Sequence, residues 1–304
     1  MAEFYTLGNF TIDDIVLHDG RSWIDCAGGN AIYAALGAQL WIERVGLIAR
    51  VGNDLAPHVV TKLQALNVEL HLVPVDAPNI HNWALYEPDG TRQFVNHRRS
   101  GTNDMLSVRG AEIPPTCFDA SAFHIAPMPI ERQAELVNTL RDAPAKHLVG
   151  LDPHEWWIEG HESLVFALAR RVDFFMPSQE EARRLFGKDD PASAVRALGQ
   201  LSARAAVVKL GADGSLVYDA ASRTVTHVPI YPAVPVDVTG AGDAYCGGFV
   251  AGYLKTRDVV ESACYGTVSA SFCVETLGVL PERRPSPQEA QERLTFVRAN
   301  LSNE

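Results

Sequence analysis

The sequence predicts a three-layer α/β/α fold with a central, mainly parallel sheet and a small β lid. Three features point there. Short apolar runs alternate with helix-length segments along most of the chain, the pattern of strands joined through covering helices. One stretch breaks that alternation with two β-type runs about a turn. Near the end come two long, almost uncharged segments, as expected of consecutive buried helices.

Phe4–Leu7, Val45–Ile48, Ala122–Ile125, Leu148–Leu151, Phe174–Met176 and Ala205–Lys209 are short and largely apolar, so each reads as a strand covered on both faces. Between them Ala31–Leu40, Ala56–Leu66, Ile130–Arg141, Glu162–Arg170, Ser178–Phe186 and Ala192–Leu201 read as helices. The exception, WALYEPDGTRQFV over Trp83–Val95, reads as a hairpin about Pro88-Asp89-Gly90. Earlier β-like pieces, Ile15–Leu17 and Trp23–Asp25, flank Asp19-Gly20 and can pair with it. A lid built from about 14–26 and 82–97 is therefore expected. Ala244–Leu254 and Ser262–Val274 are the buried helices, and Pro287–Arg298 reads as an amphipathic surface helix. No repeat or low-complexity linker divides residues 1–304, which are read as a single domain.

The formal charge, 26 − 37 = −11, repels phosphate backbones and anionic lipid, so neither nucleic acid nor membrane is expected as a partner. No run reaches the roughly 18 apolar residues of a bilayer span, and MAEFYTLGNF has no basic leader. Five cysteines without CxxC spacing read as reduced thiols and suggest the cytoplasm. The chain lacks GxGxxG, GxxxxGK[ST] and GxSxG, which disfavours dinucleotide enzymes, P-loop ATPases and serine hydrolases. Its ten histidines show no HExxH or similar spacing, so no protein-held transition metal is expected.

Chemistry concentrates in Asp237-Val-Thr-Gly-Ala-Gly-Asp243, a small-residue turn running straight into an apolar helix. Gly240 and Gly242 let backbone amides approach a ligand, and the helix N-terminus adds partial positive charge. Asp243 in the first turn would compete with a permanently bound phosphate. It suits a proton acceptor for a hydroxyl attacking a phosphoryl group that the amides stabilise in flight. The plainer alternative is that Asp243 only caps the helix.

DVTGAGD followed by a Gly-rich helix resembles the C-terminal signature of the ribokinase-like (PfkB) family of sugar and nucleoside kinases. Gly28-Gly29-Asn30 before AIYAALGAQL, with VGLIARVGND after it, resembles the N-terminal signature. Gly8 followed by Asp13 resembles the family's first strand, and VVKLGADGS (Val207–Ser215) its nucleotide-side turn. The likeness runs in the family's order from about residue 4 to about 290.

The resemblance implies a ribokinase-like fold and a role for each matching position. Asp243 would be the catalytic base, with Gly240, Ala241 and Gly242 forming the anion hole. Asp13, Gly28, Gly29 and Asn30 would line the substrate pocket, where a carboxylate and a carboxamide suit polyols. Lys209, Gly211, Gly214, Thr239, Gly240 and Gly242 would border ATP. Glu181 would hold Mg²⁺ through water. Asp237 and Thr239 would hold a monovalent cation, usually K⁺, with backbone oxygens near Cys273 and Gly278.

Ser178 stands where the family commonly has asparagine, and Asp152-Pro153-His154 where its sugar-acid kinases often have Asp-Pro-Asn. His97-Arg98-Arg99 could bring positive charge over the substrate or be a solvated turn. Trp156 and Trp157 could stack on a sugar or base ring or belong to the core. The implied activity is transfer of the γ-phosphoryl group of Mg·ATP to a hydroxymethyl group of a small sugar, with a homodimer through the lid. Alternatives are a ribonucleoside kinase of the same fold and a catalytically weak sugar- or nucleotide-binding regulator.

Overall fold

The computed structural model describes residues 1–88, 92–280 and 283–303. In chain order the first half forms β1 (Phe4–Asn9), β2 (Thr11–Val16), β3 (Ser22–Gly28), α1 (Asn30–Gln39), β4 (Val45–Val51), α2 (Pro57–Ala65), β5 (Val68–Pro74), β6 (Ile80–Tyr86), β7 (Arg92–Asn96) and α3 (Asn103–Leu106). There follow β8 (Ala122–Ile125), α4 (Ile130–Asp142), β9 (Leu148–Leu151), α5 (Glu162–Ala169), β10 (Phe174–Phe175), α6 (Gln179–Phe186) and α7 (Pro191–Gly199). The chain closes with β11 (Ala205–Lys209), β12 (Ser215–Asp219), β13 (Thr224–Val228), α8 (Ala241–Thr256), α9 (Val259–Val274), α10 (Pro287–Ala299) and β14 (Ser302–Asn303).

The large sheet has the order β14-β13-β12-β11-β10-β9-β8-β1-β4-β5. From β5 to β11 every neighbouring pair is parallel, and the pairs β11-β12, β12-β13 and β13-β14 are antiparallel. Alternating strand residues feed two separate cores. Phe4, Leu47 and Val207 pack with α1, α8 and α9 on one face, while Tyr5, Ile48 and Val208 pack with α4, α5 and α7 on the other. This is why the strands read as nearly continuous apolar runs. No helix among the described residues is long and apolar enough to cross a membrane.

The small sheet has the order β3-β2-β6-β7, with β2 and β6 parallel. A register shift between Asp13 and Ile15 bulges β2 against β3. Alternation places Asp13 and Asn82, which are paired in register, on one face and Asp14 and His81 on the other.

The structure corrects the sequence reading in places. Asp13 belongs to β2 of the small sheet, not to the first strand: β1 ends at Asn9, and the buried Phe10 carries the chain across. The lid strands start earlier than read, at Thr11 and Ile80, because pairing with each other extends them beyond their apolar centres. The turn residues Asp89 and Gly90 lie outside the described residues. Strands β5, β12, β13 and β14 were not expected. The β12–β13 turn, Ala220–Arg223, has no Gly, Pro or Asn. Instead the Asp219 carboxylate accepts from Ala221 N and the Ser222 hydroxyl, and Arg223 is left-handed at φ 60°.

Candidate active site

Helix α8 begins after Gly240, whose φ of 75° is left-handed and where a Cβ would stand 2.1 Å from the Tyr33 ring. Conformation and space therefore both require glycine there. The carboxyl-bearing Asp243 sits in the first turn of α8, where α-helical geometry leaves amides without intrahelical acceptors. Of the expected anion hole, Ala241 N already donates to Val238 O at 3.3 Å. At Gly242 a Cβ would come 3.4 Å from Lys209 Nζ, so this turn and that ammonium face each other.

Asp243 and Gly240 open on a cavity of about 300 Å³ that is also lined by Asp13, Gly29, Asn30 and Asn82. Two distant stretches of sequence, the small sheet and the start of α8, thus meet in one cavity. The Asp13 carboxylate accepts from Thr11 Oγ1 at 2.9 Å and from Asn82 Nδ2 at 3.1 Å. Burial outweighs these bonds and pushes Asp13 up to about 6. Gly28 does not line the cavity; a Cβ there would fall 1.9 Å from Asp13 Oδ2, so its bareness is what admits that carboxylate. Gly29, at φ 116°, turns the chain into α1. Asn30 lines the cavity, but its Oδ1 accepts from Asn9 N at 2.8 Å and its Nδ2 donates to Pro127 O at 2.6 Å. Its carboxamide thus mainly fixes the neighbouring loops.

Beneath the start of α8 lies a second set of charges. Lys209, at the end of β11, reaches Asp152 Oδ2 at 2.5 Å. Burial alone would lower this ammonium, but Asp152, Cys246 and Glu181 hold it above the usual lysine range. Burial raises both Asp152 and Glu181; the like charge of Asp243 raises Asp152 further, and that of Asp152 raises Glu181. Glu181 also closes a capping box: its carboxylate accepts from Ser178 N at 2.6 Å while Ser178 Oγ accepts from Glu181 N at 3.3 Å. Ser178 therefore starts α6, whatever it does for a metal. Gly211 and Gly214 form the turn after Lys209, outside the residues lining the cavity.

Asp237 is buried, and protein donors already reach both of its oxygens. Tyr86 Oη and Thr239 N donate to Oδ1, and Gly278 N donates to Oδ2 at 3.1 Å. Cys273 Sγ lies 3.4 Å from Thr239 O. The segments named for a monovalent cation do come together, but Tyr86 from the small sheet is bonded into their centre.

The fold and these contacts can be set beside known proteins. A family model described as pfkB family carbohydrate kinase matches residues 12–284. The cytidine kinase of Thermococcus kodakarensis is 32% identical over 283 residues, covering 91% of this chain and 98% of that protein. The ATP-dependent 6-phosphofructokinase of Thermoanaerobacterium thermosaccharolyticum is 31% identical over 263 residues, covering 83% and 80%.

The chain belongs to the pfkB family of carbohydrate kinases.

It is an ATP-dependent kinase, a phosphotransferase with an alcohol group as acceptor. The ribokinase-like fold is matched by the crystal structure of a probable sugar kinase from Rhizobium etli CFN 42, with a TM-score of 0.81 at 18% identity, covering 98% of this chain and 100% of that one. Three residues of this kinase's cavity region had no assigned role from sequence: Asp152, Asn82 and Tyr86. Asp152-Pro153 directly after the apolar run Leu148–Leu151 was the signal for the first, since ligands gather beyond the carboxyl ends of parallel strands. Asn82 and Tyr86 carry no motif. A larger groove of about 1310 Å³ runs past Trp41, Tyr265 and Arg284. It includes neither Asp13 nor Asp243, so the smaller cavity is the candidate for the chemistry.

Proposed function

We propose that this kinase transfers the γ-phosphoryl group of Mg·ATP to a hydroxymethyl group of a sugar ring held in the 300 Å³ cavity. The observation that carries the reading is that Asp13 and Asp243 open on the same cavity, one from the small sheet and one from a helix start. Asp13 accepts hydrogen bonds from ring hydroxyls, with Asn82 fixing its carboxylate. Asp243 takes the acceptor hydroxyl proton as the new O–P bond forms and the bond to the ADP oxygen breaks. The Gly240–Gly242 turn, with Lys209 facing it, stabilises the phosphoryl group in transit. The donor set fits a hydrated divalent cation: Asp152 Oδ1 is buried with no hydrogen-bond partner, and the Glu181 carboxylate lies close by. When bound, Mg²⁺ would neutralise charge on the nucleotide phosphates.

A ribonucleoside is the second reading, favoured by a specific feature. Phe94, Trp156 and Trp157 line the cavity beyond its polar floor, and Trp156 is 52% exposed, leaving ring area for a base to stack on. The 32% identical cytidine kinase supports it as well. ADP release over a panel of pentoses, ketohexoses, sugar acids and nucleosides tests both. Turnover with nucleosides alone selects the second reading, and turnover with no polyol at all overturns both.

The whole chain is read as one catalytic unit whose lid is the small sheet. Exposed Ile24, Leu85 and Val95 on that sheet support pairing of two copies, and five free cysteines support a reducing cytoplasm.

Acceptor binding should depend on pH with a definite sign. Asp13 in the free enzyme holds its proton below about pH 6. Ring hydroxyls donate to the ionised carboxylate, so binding at lower pH must expel that proton. The acceptor KM is expected to rise about tenfold per pH unit below about pH 6, and Asp13→Asn should abolish that rise. The same acceptor pH profile in wild type and Asp13→Asn would remove Asp13 from the pocket.

Asp237 and Thr239 fit a monovalent cation poorly while Tyr86 is bonded there, and no step is assigned to one. Turnover of the wild type should therefore change less than about twofold when K⁺ replaces a bulky organic cation. Tyr86→Phe, which takes a donor from Asp237, should gain K⁺ activation of about tenfold, the size of one charged hydrogen bond. Strong K⁺ activation of the wild type would show that Tyr86 leaves the loop.

A further inference from the structure

The outer face of the small sheet carries a cluster that the kinase reaction does not use. His81 on β6, His97 just beyond β7 and Asp14 on β2 bring one ligand atom each within 4.8 Å of the others, the one such group among the described residues. His97 Nε2 lies 3.1 Å and His81 Nε2 3.6 Å from Asp14 Oδ2. Both Nε2 atoms are sealed from solvent, yet neither makes an aligned hydrogen bond. Asp14 is itself almost fully buried. Two buried imidazole nitrogens without an aligned hydrogen bond, both facing one buried carboxylate oxygen, are costly unless something joins them.

The surroundings are organised around this point. Asp14 Oδ1 accepts from Asp25 N at 2.8 Å, which orients the carboxylate and leaves Oδ2 toward the histidines. Asp25 is left-handed at φ 56°, a conformation aspartate takes more readily than most residues, and its Oδ1 comes within 3.9 Å of His81 Nε2. The imidazoles stack at 3.8 Å with an 11° interplanar angle, and Trp83 covers the far face of His97 at 4.7 Å. Asp14 and Asp25 bring two carboxyl groups to the histidines on this face, a charge that a cation would offset.

We infer that Asp14, His81 and His97, with Asp25 at the rim, form a binding site for one divalent transition-metal ion of the zinc class. Two nitrogens and two carboxylate oxygens suit Zn²⁺, whose ligand bonds are about 2.0 to 2.2 Å. Near-parallel rings point their Nε2 lone pairs side by side, so closing on one ion requires them to fan apart. That is a side-chain rotation, and it moves His97 against Trp83. The ion would tie β2, β6 and the end of β7 together at positions adjacent to Asp13, Asn82 and Asn96, the residues facing the cavity on the opposite side. It would stiffen the substrate face of the sheet without touching substrate. The sequence gives no hint of this site, since residues 14, 81 and 97 are brought together only by strand pairing.

The test uses the full chain, stripped with a chelator and kept free of nucleotide, with Mg²⁺ in excess to occupy the catalytic site. Co²⁺ is added and its visible spectrum recorded, and Zn²⁺ binding is followed by calorimetry and Trp fluorescence. One equivalent of Zn²⁺, intense low-symmetry Co²⁺ bands and altered Trp emission are expected. The double variant His81→Gln/His97→Gln should lose about 100-fold or more in affinity, while Glu181→Gln should bind as the wild type does. Asp14→Asn serves as a second variant should the double variant fail to fold. No binding by the wild type, octahedral Co²⁺ bands only, or equal affinity in His81→Gln/His97→Gln or Asp14→Asn would overturn the site. Because the readout is metal binding rather than turnover, its failure leaves the kinase reading intact.

Discussion

Replacing Asp243 with Asn is expected to lower kcat by roughly two to four decades while nucleotide affinity changes little. The side chain keeps its size, so the start of α8 and the cavity should survive, and only the proton acceptor is lost. Asn cannot take the hydroxyl proton, so the attacking oxygen would stay protonated through the transition state. Steady-state kinetics with a nucleotide-binding measurement on the same sample separates the two quantities. Wild-type turnover in Asp243→Asn would leave Asp243 as a helix cap and return the chemistry to the glycine turn alone.

Lys209→Met should be the most destabilising single change near the site. Its ammonium compensates Asp152 at 2.5 Å, and Asp152 and Glu181 are both buried carboxyls. Removing the cation leaves those carboxyls facing each other in a low-dielectric place, at a cost of about 3 to 5 kcal/mol. The sign with pH follows from the raised carboxyls. Their protonated forms are favoured in the folded state, so stability is lost as pH rises through their folded values. The gap between wild type and Lys209→Met in denaturant unfolding should therefore be larger at about pH 8 than at about pH 5. Asp152→Asn in the Lys209→Met chain should restore much of the loss. A gap independent of pH would mean that Lys209 acts through packing and not through charge.

The two experiments divide the site. One removes a reacting group while preserving the structure, and the other removes charge compensation beneath it. Lys209→Met would also slow turnover, since its Nζ faces Gly242, but the stability readout isolates the electrostatic part.

Much of this was legible in sequence because it was local. The turn before α8 announced itself through glycines that only a close approach explains, and Gly240 does meet the Tyr33 ring. The parallel strands were legible because burial on both faces makes them uniformly apolar. Asp13 was found through its spacing but assigned to the wrong strand, because a single residue, Phe10, separates β1 from β2 and no turn signal marks the crossing. The strands β12 and β13 escaped because a carboxylate, Asp219, performs the turn work usually left to glycine or asparagine.

By itself, then, the order of residues determined the layered α/β architecture, the kinase signature and the helix start that carries Asp243. Those follow from periodicity and from short-range steric demands, which a linear text records. Only the tertiary structure decided that Asp152 lies under Lys209, that Tyr86 is bonded to Asp237, and that Asp14, His81 and His97 converge. Each joins segments tens of residues apart through strand register and packing, and coulombic contacts across such separations leave no local pattern to read.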